Sequence, residues 1–389
     1  MMKTTLKNIS ISLLANLLYF VFLFPGSIIS HAQTIDYNEV KIIMVGDILL
    51  HTRVEDAALD GQGNYNYDFI FEDTKKDIAA ADIAIVNQEV IIGGKSLGIS
   101  GYPAFNAPEE IGDALVNAGF DVVCHGTNHA LDKGKKGLIN TLDYWQSNHP
   151  YITILGINRT SDEFNNVTIL EKNGIKIALI NYTYGTNGIN MPKDMPFAVD
   201  LLEKNKVVSD LKFAEENADF TIVLPHWGTE YKTDIDNSQK KWTDIFRENG
   251  ADLVIGTHPH VIEPIVMYED DVNGYNNNHG GGDMLVYYSL GNFVNWTSGS
   301  GEGIANRMVG GMAEIKIKKD SKGETAINSF GVEALVCHVK SGNKNIKVYP
   351  LSKYSEELGK ENEIINQDSS FSTQYCIDFC NKIWNKNWH

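Results

Sequence analysis

Along most of the chain, short continuous apolar runs alternate with stretches whose apolar positions recur every three or four residues. The runs at 40–45, 83–86, 120–124, 151–155, 175–182, 220–224 and 251–255 are too short for buried helices and end in turn residues, so they predict strands. Between them, residues 68–80, 108–118, 136–148, 199–217 and 238–248 predict helices. The second of these has Pro108 in its first turn and Gly119 just past its end, the punctuation a helix favours. Further strands are predicted at 261–267 and 284–288, and 311–319, 326–338 and 346–349 read as antiparallel strands closing a sheet edge. Residues 273–283 and 297–306 are rich in Gly, Asn and Ser and predict flexible loops. Strand and helix in alternation predict an α/β fold.

The two ends of the chain break this pattern. Lys3 and Lys7 precede an apolar stretch over 9–29, and Ser30-His31-Ala32 supplies small residues where a signal peptidase reads. Residues 1–32 are therefore expected to be a signal peptide or an N-terminal membrane anchor. Pro25-Gly26 would disturb a continuous spanning helix, which favours cleavage over retention. In either case the body is exported, and is secreted or anchored on the outer face of the cytoplasmic membrane, with membrane association through 9–29 if the segment is kept. Residues 351–389 are expected to be a polar tail ending in a short amphipathic helix that carries Trp384 and Trp388.

Composition narrows the function. With 43% hydrophobic and 21% charged residues the chain is globular, not disordered. Loss of residues 1–32 would remove two lysines and no acid, taking the formal charge from −17 to −19. So acidic a body excludes nucleic acid as a partner held by the surface field, and repels any polyanion except where bound cations reverse the local sign. Cys124, Cys337, Cys376 and Cys380 are too few for a disulfide scaffold, though they allow one or two bridges after export.

The candidate chemistry sits where the apolar runs stop. Asp47, Glu89, Asn128 with His129, His226, His258 with His260, and Asn292 each follow the carboxyl end of an apolar run. In α/β sheets that edge is where side chains converge on ligands. Carboxylate, amide oxygen and imidazole form a mixed hard and borderline donor set, suited to Mn, Fe(II), Zn or Mg and not to a thiolate-type structural zinc.

Together, Gly46-Asp47, Asn87-Gln88-Glu89, Thr127-Asn128-His129-Ala130-Leu131-Asp132, His226-Trp227-Gly228-Thr229-Glu230, Gly256-Thr257-His258-Pro259-His260-Val261 and Ser289-Leu290-Gly291-Asn292-Phe293 resemble the CapA capsule-synthesis family. That family is also called the poly-γ-glutamate synthesis or PgsA-like group, and is related to the calcineurin-like metallophosphoesterases. The resemblance covers about residues 40–310 and implies a four-layer αββα sandwich, with residues 33–350 as the fold domain and two divalent metal ions at the sheet edge. By it, Glu89 bridges the ions, Asp47 and His260 complete one, and Asn128, His226 and His258 hold the other. His129 would protonate a leaving group with Asp132 orienting its ring, while His51, Arg53, Glu230 and Asn292 are weaker candidates for substrate contacts. Two departures matter: the acid paired with His129 sits three residues on instead of directly after it, and the phosphoesterase pattern begins Asp-x-His, whereas here Leu49 stands two residues after Asp47. The metal of Asp47 and His260 thus lacks its usual imidazole, which puts its occupancy in question.

Two classes of function fit these residues. One is an exported metal-dependent hydrolase or transferase acting on a phosphodiester or amide of an extracellular anionic polymer such as poly-γ-glutamate. The other is a non-catalytic accessory subunit of the polymer's synthase complex. A general extracellular metallophosphatase is a third option.

Overall fold

The computed structural model describes residues 38–269, 283–385 and 388–389, which all belong to a single unit. The expected signal or anchor at 1–32 and most of the loop at 273–283 lie outside the described residues. Among those described, no helix is long and apolar enough to cross a membrane.

Strands form two sheets. In chain order they are β1 (Glu39–Leu49), β2 (Ile83–Gln88), β3 (Val122–Cys124), β4 (Thr153–Leu155), β5 (Thr168–Lys172), β6 (Ile175–Thr183), β7 (Phe220–His226), β8 (Leu253–Ile255), β9 (Ile265–Tyr268), β10 (Met284–Tyr287), β11 (Asn292–Asn295), β12 (Val309–Lys319), β13 (Thr325–Val339) and β14 (Ile346–Pro350). The first sheet runs β14-β13-β12-β1-β2-β3-β4, and the second β5-β6-β7-β8-β10-β9. Strands β1 to β4 are parallel, as are β6, β7, β8 and β10. The late strands β12 to β14 pair antiparallel and close the first sheet on β1, as their sequence pattern predicts.

Residue parity shows how the layers stack. In the second sheet, Ile177, Leu179, Ile222, Leu253, Leu285 and Tyr287 join the core cluster that also holds the buried residues of the first sheet. Their neighbours Ala178, Ile180, Val223, Val254 and Val286 point the other way, onto Val207, Leu211, Ile245 and Phe246 of the helices Lys204–Asn217 and Asn237–Glu248. Ile111, Leu115 and Trp145, from the helices Glu110–Ala118 and Gly134–Asn148, pack with the first sheet. Because side chains alternate across a strand, each central strand must be apolar on both faces, which is why these read as unbroken apolar runs. The result is helix, sheet, sheet, helix: a four-layer αββα sandwich.

Several elements differ from their sequence expectations. Residues 68–80 form a short 3-10 turn, Asp68–Ile70, and a separate helix, Lys75–Ile78. Phe69, Ile70 and Phe71 are consecutive and all buried, which one face of a straight helix cannot accommodate. The helix expected from 199 starts at Lys204, because Val199 and Leu201 lie extended in bridges to Ile157 and Thr183. The strand expected over 261–267 is confined to β9, and that over 151–155 to β4. Strands β5 and β11 lie where none is expected. Residues 351–389 add Phe371, Cys376, Phe379, Cys380, Ile383 and Trp384 to the main core. Trp384 Nε1 also donates to the Glu263 carbonyl at 2.9 Å. All four cysteines are buried free thiols.

Candidate metal centre

The strand ends converge as their sequence positions suggest, and local backbone devices aim them. At the end of β1 the pairing changes hands: β12 lies along Glu39 to Val45, and β11 takes over from Asp47. On its other side, the pairing of β1 with β2 shifts register between Val45 and Asp47. Gly46 sits at the shift, where a Cβ would come 1.9 Å from the Gly291 carbonyl oxygen, so the close approach requires glycine. Asp47 N then donates to that carbonyl at 2.9 Å, and the Asp47 carboxylate is fully buried.

The loop after β3 is held from two sides. Gly126 N donates to Asn181 Oδ1 at 2.7 Å, and Thr127 Oγ1 to the Glu89 carbonyl at 2.8 Å. Asn128 Oδ1 is thereby brought 2.9 Å from His226 Nε2. After β8, His258 and His260 flank Pro259 with φ of 99° and 58°. A left-handed backbone costs a non-glycine residue about 1 kcal/mol or more and persists only where its surroundings impose it. Here the His258 N–H donates to Asp47 Oδ2 at 3.2 Å, and His260 Nδ1 lies 3.1 Å from both Asp47 Oδ2 and Asn292 Oδ1.

Glu89 stands at the middle. Its Oε1 is 3.6 Å from His226 Nε2, 3.7 Å from His260 Nε2 and 3.9 Å from His129 Nε2. Those distances are too long for hydrogen bonds, and neither Glu89 oxygen has a hydrogen-bond partner among the described residues. His258 Nδ1 is likewise buried without a partner. Buried polar atoms are ordinarily satisfied, so orphaned atoms facing one another are the signature expected of a site built for cations. Ligand atoms of Glu89, His226 and His258 lie within 4.8 Å of one another, as do those of Asp47, Glu89 and His260, and those of Glu230, His258 and His260. Glu89 is common to the first two groups. The hard and borderline donors present fit divalent ions.

The electrostatics follow from these neighbours. Burial pushes the Glu89 acid up, but the imidazoles of His260, His226 and His129 outweigh it and hold the carboxyl below its usual range. Burial pulls His260 down, yet the Glu89 charge and the Asp47 bond raise it to about 9. His258 is driven well below its ordinary value by burial and by the His226 and His260 rings beside it.

His129 and Asp132 are brought together. His129 Nδ1 is 2.7 Å from Asp132 Oδ2, which also accepts from Phe105 N at 2.7 Å, so a separation of three residues is no obstacle. Leu49, where the phosphoesterase pattern has an imidazole, is buried in the main core. His51 packs edge-on against Phe105, ring centres 5.3 Å apart, and is lowered to about 4 by burial and then by His260. Asn292 Nδ2 donates to the carbonyls of His260 and Arg307, both at 3.0 Å. Arg53 is turned elsewhere, toward Gln367 Oε1 at 3.4 Å and over the Trp296 ring at 4.9 Å.

Some members of the site are not evident from sequence. Asn87 Nδ2 donates to Asp47 Oδ1 at 2.8 Å, and Thr257 Oγ1 lies 3.0 Å from His226 Nδ1. Both sit inside the strand-end motifs, which was the signal available. Asn187 reaches Asn128 and His129 from a turn, and the Tyr184 ring lies 4.6 Å from that of His258. A further cluster, Glu314, Glu333 and His389, lies partly exposed at the antiparallel strands and the C-terminus.

The family profile described as "Bacterial capsule synthesis protein PGA_cap" matches residues 41–297. The chain is 25% identical over 390 positions to the PGA biosynthesis protein CapA of Bacillus subtilis (strain 168), covering 99% of this chain and 95% of that protein. It is 26% identical over 277 residues to the capsule biosynthesis protein CapA of Bacillus anthracis, covering 67% of this chain and 61% of that one. Among solved structures, the NAD nucleotidase of Haemophilus influenzae aligns with a TM-score of 0.48 at 14% identity, covering 90% of this chain and 63% of that one. The 5'-nucleotidase precursor of Thermus thermophilus aligns with a TM-score of 0.46 at 15% identity, covering 77% of this chain and 54% of that one.

Proposed function

Because the chain belongs to the bacterial capsule synthesis protein family that matches residues 41–297, we propose that it is an exported metal-dependent hydrolase or transferase acting on an anionic capsule polymer such as poly-γ-glutamate. The observation that carries the reading is the pair of unpartnered Glu89 oxygens, fully buried and faced by three imidazoles. Two divalent ions are the occupants these residues suit. Glu89 would be shared, Asp47 and His260 would hold one ion, and Asn128, His226 and His258 the other. Such ions polarise a phosphoryl or carbonyl oxygen and make a bound water acidic near neutral pH.

The remaining steps belong to the chain's own residues. With Asp132 at its Nδ1, His129 keeps a proton there and directs Nε2 toward the reacting region, 3.9 Å from Glu89 Oε1. Nε2 is thus the atom that delivers a proton to a leaving group, with the Asp132 carboxylate stabilising the imidazolium. Phe105 packs edge-on against His129, ring centres 4.7 Å apart, and helps to fix the ring. Since the chain carries a net charge of −17, an anionic polymer would be attracted only at the site itself, where bound cations would invert the field.

The test is turnover by the metal-loaded protein of a phosphodiester and a γ-glutamyl peptide, with His129→Ala alongside. Turnover of at least one substrate, lost by about 100-fold or more in His129→Ala with metal retained, is the expected result. Bound metal without turnover of either would replace the enzyme with an accessory subunit of a polymer synthase.

A further inference from the structure

One cation at the mouth of the centre has no task in this scheme. Arg307 lies in the 3-10 turn Ala305–Met308, just before β12. Its guanidinium carbon sits 3.5 Å from the centre of the Tyr231 ring, which is itself 5.9 Å from the His260 ring. The Arg307 carbonyl accepts from Asn292 Nδ2, tying the turn to the His260 loop.

Tyr231 is held under Arg307 at some cost. Its φ is 65°, and its N–H donates at 2.7 Å to the carbonyl of Pro259, between the two histidines. Strain of this kind survives where the surroundings fix it and clusters at functional sites. Tyr231 as a whole remains 44% exposed, so the platform reaches solvent.

The other arginines show what a structural guanidinium does here. Arg159 pairs with Asp143 at 2.7 Å, and Arg53 bonds Gln367. By contrast, the buried Arg307 Nε has no hydrogen-bond partner among the described residues. Glu230, an acid near enough to act on it, has its carboxylate within 4.8 Å of the His258 and His260 nitrogens. Partial burial disfavours the charged form of Arg307, and an oxyanion brought alongside would offset that cost. A planar guanidinium stacked on an aromatic face is the form of cation best suited to grip carboxylate or phosphate oxygens.

We propose that Arg307, backed by Tyr231, is an anion subsite on the rim of the metal centre, receiving a carboxylate or phosphate group of the substrate beside His260. The proposal rests on the metal-centre reading for its neighbour, while anion binding itself can be measured separately.

The experiment is calorimetric titration of inorganic phosphate, and in a second arm glutarate, into the metal-loaded protein, with elemental analysis of the same samples. Arg307→Gln should weaken binding about tenfold or more at unchanged metal content, Arg307→Lys less, and Arg159→Gln not at all. The arm with the larger Arg307 dependence identifies the oxyanion. Arg307→Gln within twofold of wild type overturns the subsite, as does wild type that binds neither anion up to about 10 mM. Arg307→Gln that sheds metal together with the anion also overturns it, because the residue would then be a strut for the His260 loop. If Arg307→Gln fails to fold, Arg307→Lys and Tyr231→Ala decide by the same criterion. Wild type without metal but with Arg307-dependent anion binding would sink the metal reading and leave the subsite standing.

Discussion

Glu89 and Asp252 are both buried carboxylates, yet they answer burial in opposite ways. Asp252 precedes β8 and laces it to β7: its Oδ2 accepts from Thr221 N at 2.7 Å, and its own N–H donates to the Thr221 carbonyl at 3.1 Å. Burial raises this acid to about 8, against the pull of the Thr221 bond and with some help from Glu215, so it is stored neutral. At Glu89 burial pushes the same way, but three imidazoles reverse the outcome and keep the carboxyl ionised. Burial alone does not decide ionisation; the groups that face the acid do. One carboxyl is a neutral latch, and the other is a charge that could hold a cation.

The sharpest way to break this contrast is Glu89→Gln, which keeps the shape and removes the charge. Metal content should fall to near zero and turnover should drop by about 1,000-fold or more, since both ions would share this ligand; retained metal by elemental analysis would contradict that. Next in size, His226→Ala with His258→Ala should remove about one metal equivalent and cut turnover at least about 100-fold. Asp47→Asn with His260→Ala should remove the other equivalent, and unequal losses would show which ion is weakly held.

Smaller effects sharpen the picture further. Asp132→Asn should retain metal and lower turnover by about 10- to 100-fold, with the pH profile displaced, because only the His129 orientation is touched. At the neutral latch the expected effect is on stability alone. The folded-state value of Asp252, about 8, lies above that of the unfolded acid, so the folded form binds the extra proton and stability declines as pH rises from about 4 to about 8. Asp252→Asn should remove that slope and leave the protein more stable by about 1–2 kcal/mol at pH 9, measured by denaturant unfolding. Metal content of that variant should not change.

Most of the centre was legible because strand ends in an alternating α/β chain must share an edge, so the spacing of Asp47, Glu89, His226 and His258 already implied convergence. The Asp132 partner of His129 was also visible, although three residues of separation left the contact to the geometry of a turn. What escaped depends on relations between distant segments. β11 exists only because it takes over from β12 beside β1, and its residues 292–295 have no strand pattern strong enough to show this. Arg307 reaches Tyr231 from far along the chain, with no motif marking either residue. β5 did carry a signal: Asn173-Gly174, with φ of 51° and 75°, is the two-residue turn that pairs β5 with β6. The helix expected over 68–80 failed because three consecutive buried residues cannot share one helical face.

The central claim is that Glu89 is an ionised carboxylate built to join two cations. Elemental analysis of metal per chain, wild type beside Glu89→Gln, tests it most directly. The expected result is close to two equivalents in wild type and close to none in the variant. Less than about half an equivalent in wild type, or the same content in both proteins, would contradict it.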